Sequence, residues 1–139
     1  MNFEMTAEEL AVIDSAEQVA REVIQPLAQH YDETETFCLA SIRALGDLGC
    51  MGINLPEEYG GLGIGSLAMS RVVEAVAGAC ASTASAMTAH FLATDSILLG
   101  GTEEQKQEWL PRAASGELLA AFALTEPAAG SNPADMRSR

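Results

Sequence analysis

The sequence predicts an all-α fold, a bundle of about five to six helices followed by the first strand of something else. Three observations predict it. Thr6-Ala-Glu-Glu9 and Thr102-Glu-Glu-Gln105 both match the capping box, in which a hydroxyl and an acidic or amide side chain satisfy the free N–H groups of a helix start. Apolar residues recur at helical spacing over most of the chain. After the last helix, Leu118 to Leu124 form a mostly apolar run that suits a strand.

In chain order, the first helix starts at Thr6 and carries Leu10, Ile13, Ala16, Ala20, Val23 or Ile24, and Leu27 on its apolar face, ending near His30. A shorter second helix spans about Phe37 to Leu48, with Leu39, Ile42 and Leu45 on one face and Gly49 as its stop. Residues 52–65, "GINLPEEYGGLGIG", form an ordered loop, because Ile53, Leu55, Tyr59, Leu62 and Ile64 still require burial. Ser66 is expected to cap a third helix through Val76. A break before or around Ala81-Ser82 precedes a further helix to about Leu99, which Gly100-Gly101 ends. The helix after Thr102 carries Trp109, Leu110 and Ala113, with Trp109 read as a core anchor and Pro111 as an early stop or kink, and Gly116 closes the helical part.

The 139 residues suit one domain with a real core and are too few for a two- or three-domain enzyme. With 48% apolar and 19% charged residues, the composition is globular rather than disordered. Asp and Glu outnumber Lys and Arg by 20 to 7, a formal net charge of -13 that excludes nucleic acid as a natural partner. A small polyanion remains possible, since helix ends and backbone N–H groups bind phosphates locally. Three Cys without a CxxC argue against a disulfide framework and for a reducing, cytoplasmic setting. No signal peptide is visible at the N-terminus. Residues 75–94 lack Asp, Glu, Lys and Arg, but they are mostly Ala, Ser, Thr and Gly, which reads as a helix buried among helices rather than a membrane span.

Most candidate motifs have a plainer reading. Gly63-Ile-Gly65-Ser-Leu-Ala68 fits GxGxxA, yet no Asp or Glu lies between Glu74 and Asp95 where a ribose-binding acid belongs, so it reads as a turn before a helix. His30, at a helix C-terminus, and His90, in a packed helix, have no partners at metal-site spacing, and no metal is expected. No GxSxG elbow or Cys-His nucleophile arrangement occurs. Glu126 could serve as a general base beside Thr125, but a turn residue bonding neighbouring backbone is the simpler reading.

Residues 122–137, "FALTEPAAGSNPADMR", resemble a segment of the acyl-CoA dehydrogenase family similar to "ALTEPxAGSD", where an N-terminal helical domain passes into a central β-domain. "GCMGINLPEEYGGLGI" resembles that family's Gly-rich loop and "GTEEQKQEWLPRAASGE" its lead-in to the strand, so the resemblance spans nearly the whole chain in order. It implies residues 1–117 as the N-terminal helical domain and 118–139 as the start of an incomplete β-domain. It further implies FAD, an acyl-CoA substrate dehydrogenated at its α,β-carbons, an electron acceptor and a homo-oligomer, with an oxidase or a nitroalkane-type enzyme as the alternative chemistry. By position, Phe122, Leu124 and Thr125 would contact the isoalloxazine, and Gly130 and Ser131 would meet FAD, Ser131 also reaching the pantetheine arm. Ser85 and Thr88 would line the acyl pocket. No catalytic residue is carried over: Glu126 belongs to the flavin-side motif, and the family's base lies in domains expected to be missing. Asn132-Pro133 departs from the family's Asp and small residue. The expectation is therefore half a site, inactive alone, with a stand-alone helical interaction module as the alternative.

Overall fold

The computed structural model describes residues 4–138 and is dominated by helices. The first rod is continuous: α1 (Ala7–Val19), a π-helical turn (Ala20–Ile24) and α2 (Gln25–Thr34). Pro26 explains the wide turn. It has no N–H to give and its ring crowds the Glu22 carbonyl, so the register loosens and Gln25 N–H donates to Ala20 O, five residues back. The rod runs past the expected end at His30, because buried Tyr31 anchors one more turn, and it stops at Glu35, which is left-handed at φ 53°. His30 is therefore an exposed mid-helix residue rather than a C-terminal one.

Next come α3 (Leu39–Asp47), α4 (Ser66–Ala79), α5 (Ala81–Gly100) and α6 (Glu103–Ala114). Gly49 ends the α3 region at φ 73°, a conformation that glycine adopts without strain. The α4/α5 break falls at Cys80, whose φ of -157° and ψ of 107° are extended. Both capping boxes form as expected, with Thr6 and Thr102 accepting from the amides of Glu9 and Gln105. Pro111 does not stop α6, which continues to Ala114. The expected Ser66 cap is absent: Gly65 holds the N-cap position, Ser66 is the first helical residue, and the Gly65 amide reaches the Glu9 carboxylate at 3.3 Å.

Helix α5 is the central one, packing on α3, α4, α6 and the short 3-10 turn Cys50–Gly52. Its lack of charge before Asp95 is what permits this, because Thr83, Ala84, Met87, His90, Phe91, Ala93 and Thr94 are all buried. The main core joins Ile13 and Ala16 of α1, Ile24, Ile42 and Leu45 of α3, Val72 and Val76 of α4, and Met87 and Phe91. A second cluster of Leu55, Tyr59, Leu110 and Ala114 fastens the 52–65 loop to α6. Three positions expected inside lie outside: Leu10, Leu39 and Trp109 are at least two-fifths exposed. In α6 the buried anchor is Leu110. All three cysteines are buried and free, and burial pushes the Cys50 thiol up to about 11. No helix among the described residues is long and apolar enough to cross a membrane.

Glu9 ties the first helix to the start of α4. Its carboxylate accepts from Thr6 N at 2.8 Å as well as from Gly65 N, and the Thr6 amide above all holds its pKa below the ordinary value. A depressed carboxyl contributes stability above its unfolded pKa, and that contribution is lost as pH falls through the folded value. Glu9→Gln should thus lower the thermal midpoint at pH 7. The gap to wild type should close below about pH 4, near where free Glu titrates. A gap that persists at pH 3 would show that the charge does not matter.

Candidate functional site

The segment after α6 leaves the bundle at Gly116 and carries most of the residues singled out from sequence. Residues 118–125 form neither helix nor ladder, so the expected strand is a strip without a partner. The physical reason is that a strand is completed by its neighbours, and among the described residues only an isolated bridge, Glu126 to Ala129, is present. Among the described residues, two hydrogen bonds hold the strip: Leu118 N–H to Arg112 O at 3.1 Å, and Ala120 N–H to His90 Nδ1 at 3.0 Å. The amides of Ala121 to Thr125 make none among the described residues. Phe122 and Leu124 are 41% and 38% exposed, and Thr125 is exposed beside them.

The chain then reverses tightly. Glu126 N donates to Ala129 O at 2.8 Å and Ala129 N returns a bond to Glu126 O at 3.1 Å, with Pro127 at the turn position its fixed φ suits. Gly130 and Ser131 follow at the surface, and a β-carbon built on Gly130 would meet nothing within 4 Å. The departure at Asn132-Pro133 has a local role: Asn132 accepts from Ala134 N, bonds Asp135 at 2.9 Å and opens a one-turn 3-10 helix at Pro133.

Glu126 is a backbone acceptor, as its simpler reading had it, but of backbone farther along the chain than the turn's own neighbours. Its carboxylate oxygens accept from Arg137 N and Ser138 N, each at 2.9 Å, folding the following residues back on the turn. The Ser138 side chain and these two amides hold its pKa below the usual carboxylate range, which makes it a weak base at neutral pH.

Ser85 and Thr88 share an exposed face of α5, and the Thr88 hydroxyl is spent on Ser85 O at 3.1 Å. Ser85 borders a shallow depression with Phe37, Ala81, Ser82, Ala86 and Ala89. No hydrogen bond joins this face to residues 122–131 among the described residues. Phe122, Leu124, Thr125, Gly130 and Ser131 thus lie exposed along one stretch of chain, while Ser85 and Thr88 stand on α5, the helix whose His90 bonds Ala120 at the start of that stretch. Among the described residues, no group of three His, Cys, Asp or Glu side chains is placed to hold a metal ion.

Two polar residues of the interior were not singled out for what they do. Asn54 donates from the loop to Thr94 Oγ1 at 3.1 Å and Asp95 Oδ1 at 2.7 Å, pinning residues 52–65 to α5. His90 is fully buried, and the one available signal was a lone histidine in an uncharged helix, which does not reveal its partner.

Comparison with known proteins decides the lineage. The family described as "Acyl-CoA dehydrogenase, N-terminal domain" matches residues 6–117. The chain belongs to this family. A relative from Bacillus subtilis (strain 168), "Probable acyl-CoA dehydrogenase YngJ", is 44% identical over 95% of this chain and 35% of its own length. The structure of butyryl-CoA dehydrogenase from Megasphaera elsdenii superposes with a TM-score of 0.88 at 29% identity, over 99% of this chain and 37% of that one. An acyl-CoA dehydrogenase from Bacillus anthracis complexed with FAD superposes with a TM-score of 0.84 at 32% identity, over 94% and 23% of the two chains. The chain thus spans about a third of the length of the curated relatives it matches, and it is an N-terminal helical domain of the acyl-CoA dehydrogenase family.

Proposed function

We propose that this chain is the N-terminal part of a cytoplasmic, FAD-dependent acyl-CoA dehydrogenase that passes electrons on to an acceptor and works as a homo-oligomer, with residues 118–139 beginning its β-domain. The observation that carries the reading is the unpartnered strip after α6. Its free amides, the Thr125 hydroxyl and the exposed Phe122 and Leu124 stand in one run, followed by the turn that presents Gly130 and Ser131.

These residues fit one side of a flavin. Phe122 and Leu124 offer an apolar cover that excludes water from a ring system, while Thr125 and the neighbouring amides offer donors for ring heteroatoms. The absence of a side chain at Gly130 leaves room for close approach, and Ser131 can bond a phosphate or a thioester arm. Bound FAD would supply hydride acceptance from the acyl β-carbon. The α-proton needs a base, and Glu126 does not serve, because backbone amides already occupy its carboxylate. For this reason the 139-residue chain is expected to show no acyl-CoA oxidation with an artificial electron acceptor; measured turnover would overturn the assignment of the base elsewhere.

A second reading is a stand-alone helical module that pairs through apolar surface. Leu99 at 86% and Leu92 at 51% exposure favour it. Titrating the chain with FAD, following flavin absorbance and fluorescence with and without an acyl-CoA, separates the two. Saturable perturbation supports the flavin reading; no perturbation at concentrations where the chain self-associates supports the module.

A further inference from the structure

We propose that His90 is a positioning residue: its Nδ1 accepts the Ala120 amide hydrogen and so fixes where the Phe122–Thr125 strip leaves the helical stack. The proposal rests on the reading of that strip as the flavin side of a site. Among the described residues, the two hydrogen bonds of residues 118–125 differ in kind. Leu118 bonds Arg112, in the helix that immediately precedes it, which is a local turn contact. Ala120 bonds a side chain thirty positions away in α5, at 3.0 Å, and is the only hydrogen bond from the strip to another part of the fold.

The rest of the imidazole argues that the acceptor is what histidine contributes here. The side chain has no exposed surface, and Nε2 has no hydrogen-bond partner that meets distance and angle. Because Nδ1 accepts, the proton sits on Nε2, and the ring's other hydrogen-bonding neighbours are backbone carbonyls. A leucine would fill the space, but it could not hold Ala120. The carbonyls of Met51 and Ala113, from the Cys50–Gly52 turn and α6, lie on the side that favours a proton, yet burial outweighs them and keeps the pKa below its ordinary value. No charged side chain contributes to that balance. The titratable groups next in sequence to those carbonyls are Cys50, pushed up to about 11, and Arg112, paired with Glu117 at 2.7 Å. Asp95, further along α5, is held by Asn54.

Protonation would place an N–H on Nδ1 facing the N–H of Ala120, two donors with nothing to share. The anchor is therefore closed at neutral pH. A histidine with a depressed folded pKa contributes its full stabilisation above the unfolded value of about 6.5 and loses it as pH falls through the folded value.

The test uses the 15N-labelled 139-residue chain. Long-range 1H–15N spectra should show the Nε2–H tautomer of His90 at pH 7, and amide exchange, corrected for intrinsic rates, should show Ala120 protected. His90→Leu should lower that protection about tenfold, the scale of one net hydrogen bond, while His90→Asn, whose Oδ1 stands in for Nδ1, keeps most of it. FAD affinity should follow the same order across wild type, His90→Asn and His90→Leu. In wild type, which needs no variant to fold, Ala120 protection should fall as pH drops below about 6.5. An Nδ1–H tautomer, or unchanged Ala120 protection in His90→Leu, overturns the anchor. FAD affinity indifferent to His90 overturns the positioning role. If no form perturbs FAD while Ala120 loses protection in His90→Leu, the anchor stands and the flavin reading of the strip falls.

Discussion

Gly61→Ala is expected to be the most damaging single methyl in the chain. A β-carbon at Gly61 would overlap the carbonyl group of Leu55 and stand 2.6 Å from the Leu55 Cβ, and the atoms in the way are backbone rather than a pliable side-chain tip. The loop cannot step aside cheaply. Gly61 N–H bonds Pro56 O at 3.1 Å, Leu62 N–H bonds Gly52 O at 3.1 Å and Gly63 N–H bonds Leu55 O at 2.9 Å, so moving one strand of the loop breaks its lacing. Leu55 is itself fully buried in the second core cluster. Overpacking usually costs about 1–3 kcal/mol, and a clash with fixed backbone belongs at or above the top of that range. Against a total stability of roughly 5–15 kcal/mol, such a loss should pull the urea midpoint down strongly. Gly78→Ala is the natural control: a β-carbon there meets nothing within 4 Å inside α4, so it should gain about 0.5–1 kcal/mol. Equal midpoints for the two variants would mean that the loop is not packed as described.

The second large effect is Leu110→Ala. Leu110 has no exposed surface and closes the cluster with Leu55, Tyr59 and Ala114, with Ile97 and Leu98 of α5 packed against it. Removing three buried carbons leaves a cavity bounded by a loop, α5 and α6, at a cost of about 2–5 kcal/mol. Trp109→Ala, at a side chain 40% exposed, should cost less even though it deletes more atoms. Denaturant unfolding of both variants checks the order. A tryptophan variant that proves the weaker would mean that α6 presents its other face to the core.

That pair of neighbours shows where sequence reading ran out. Helical spacing offered Trp109, Leu110 and Ala113 together and Trp109 as the anchor, but the position of α5 and the loop around α6 turns Leu110 and Ala113 inward and leaves Trp109 half-exposed. Leu10 and Leu39 have the same explanation, since periodicity gives a stripe but not its edges. Ser66 was read as a cap from its residue type, but Gly65 holds the N-cap position, with its amide bonded to the Glu9 carboxylate 56 residues earlier. At the candidate site, Thr125, Gly130 and Ser131 could be singled out together because they sit in one contiguous, exposed segment, whereas Ser85 and Thr88 come from α5, and contiguity says nothing of how the two meet. Turn chemistry foresaw Glu126 as a backbone acceptor but not its partners, since the carboxylate takes the amides of Arg137 and Ser138, 11 and 12 residues on, and that closure depends on how the following chain folds back.

Local chemistry was enough for the helices, the two capping boxes, the break near Ala81 and the need to bury Ile53, Leu55 and Tyr59, because each depends on residues a few positions apart. The family was legible for a related reason: its motifs are contiguous. Three features waited for the folded chain. They are the inward face of α6, the tie from Asn54 to α5, and the anchoring of the strip by His90. Each joins groups about 30 to 55 residues apart, and the free energy of such contacts comes from burial and hydrogen bonding that exist only once the helices have packed.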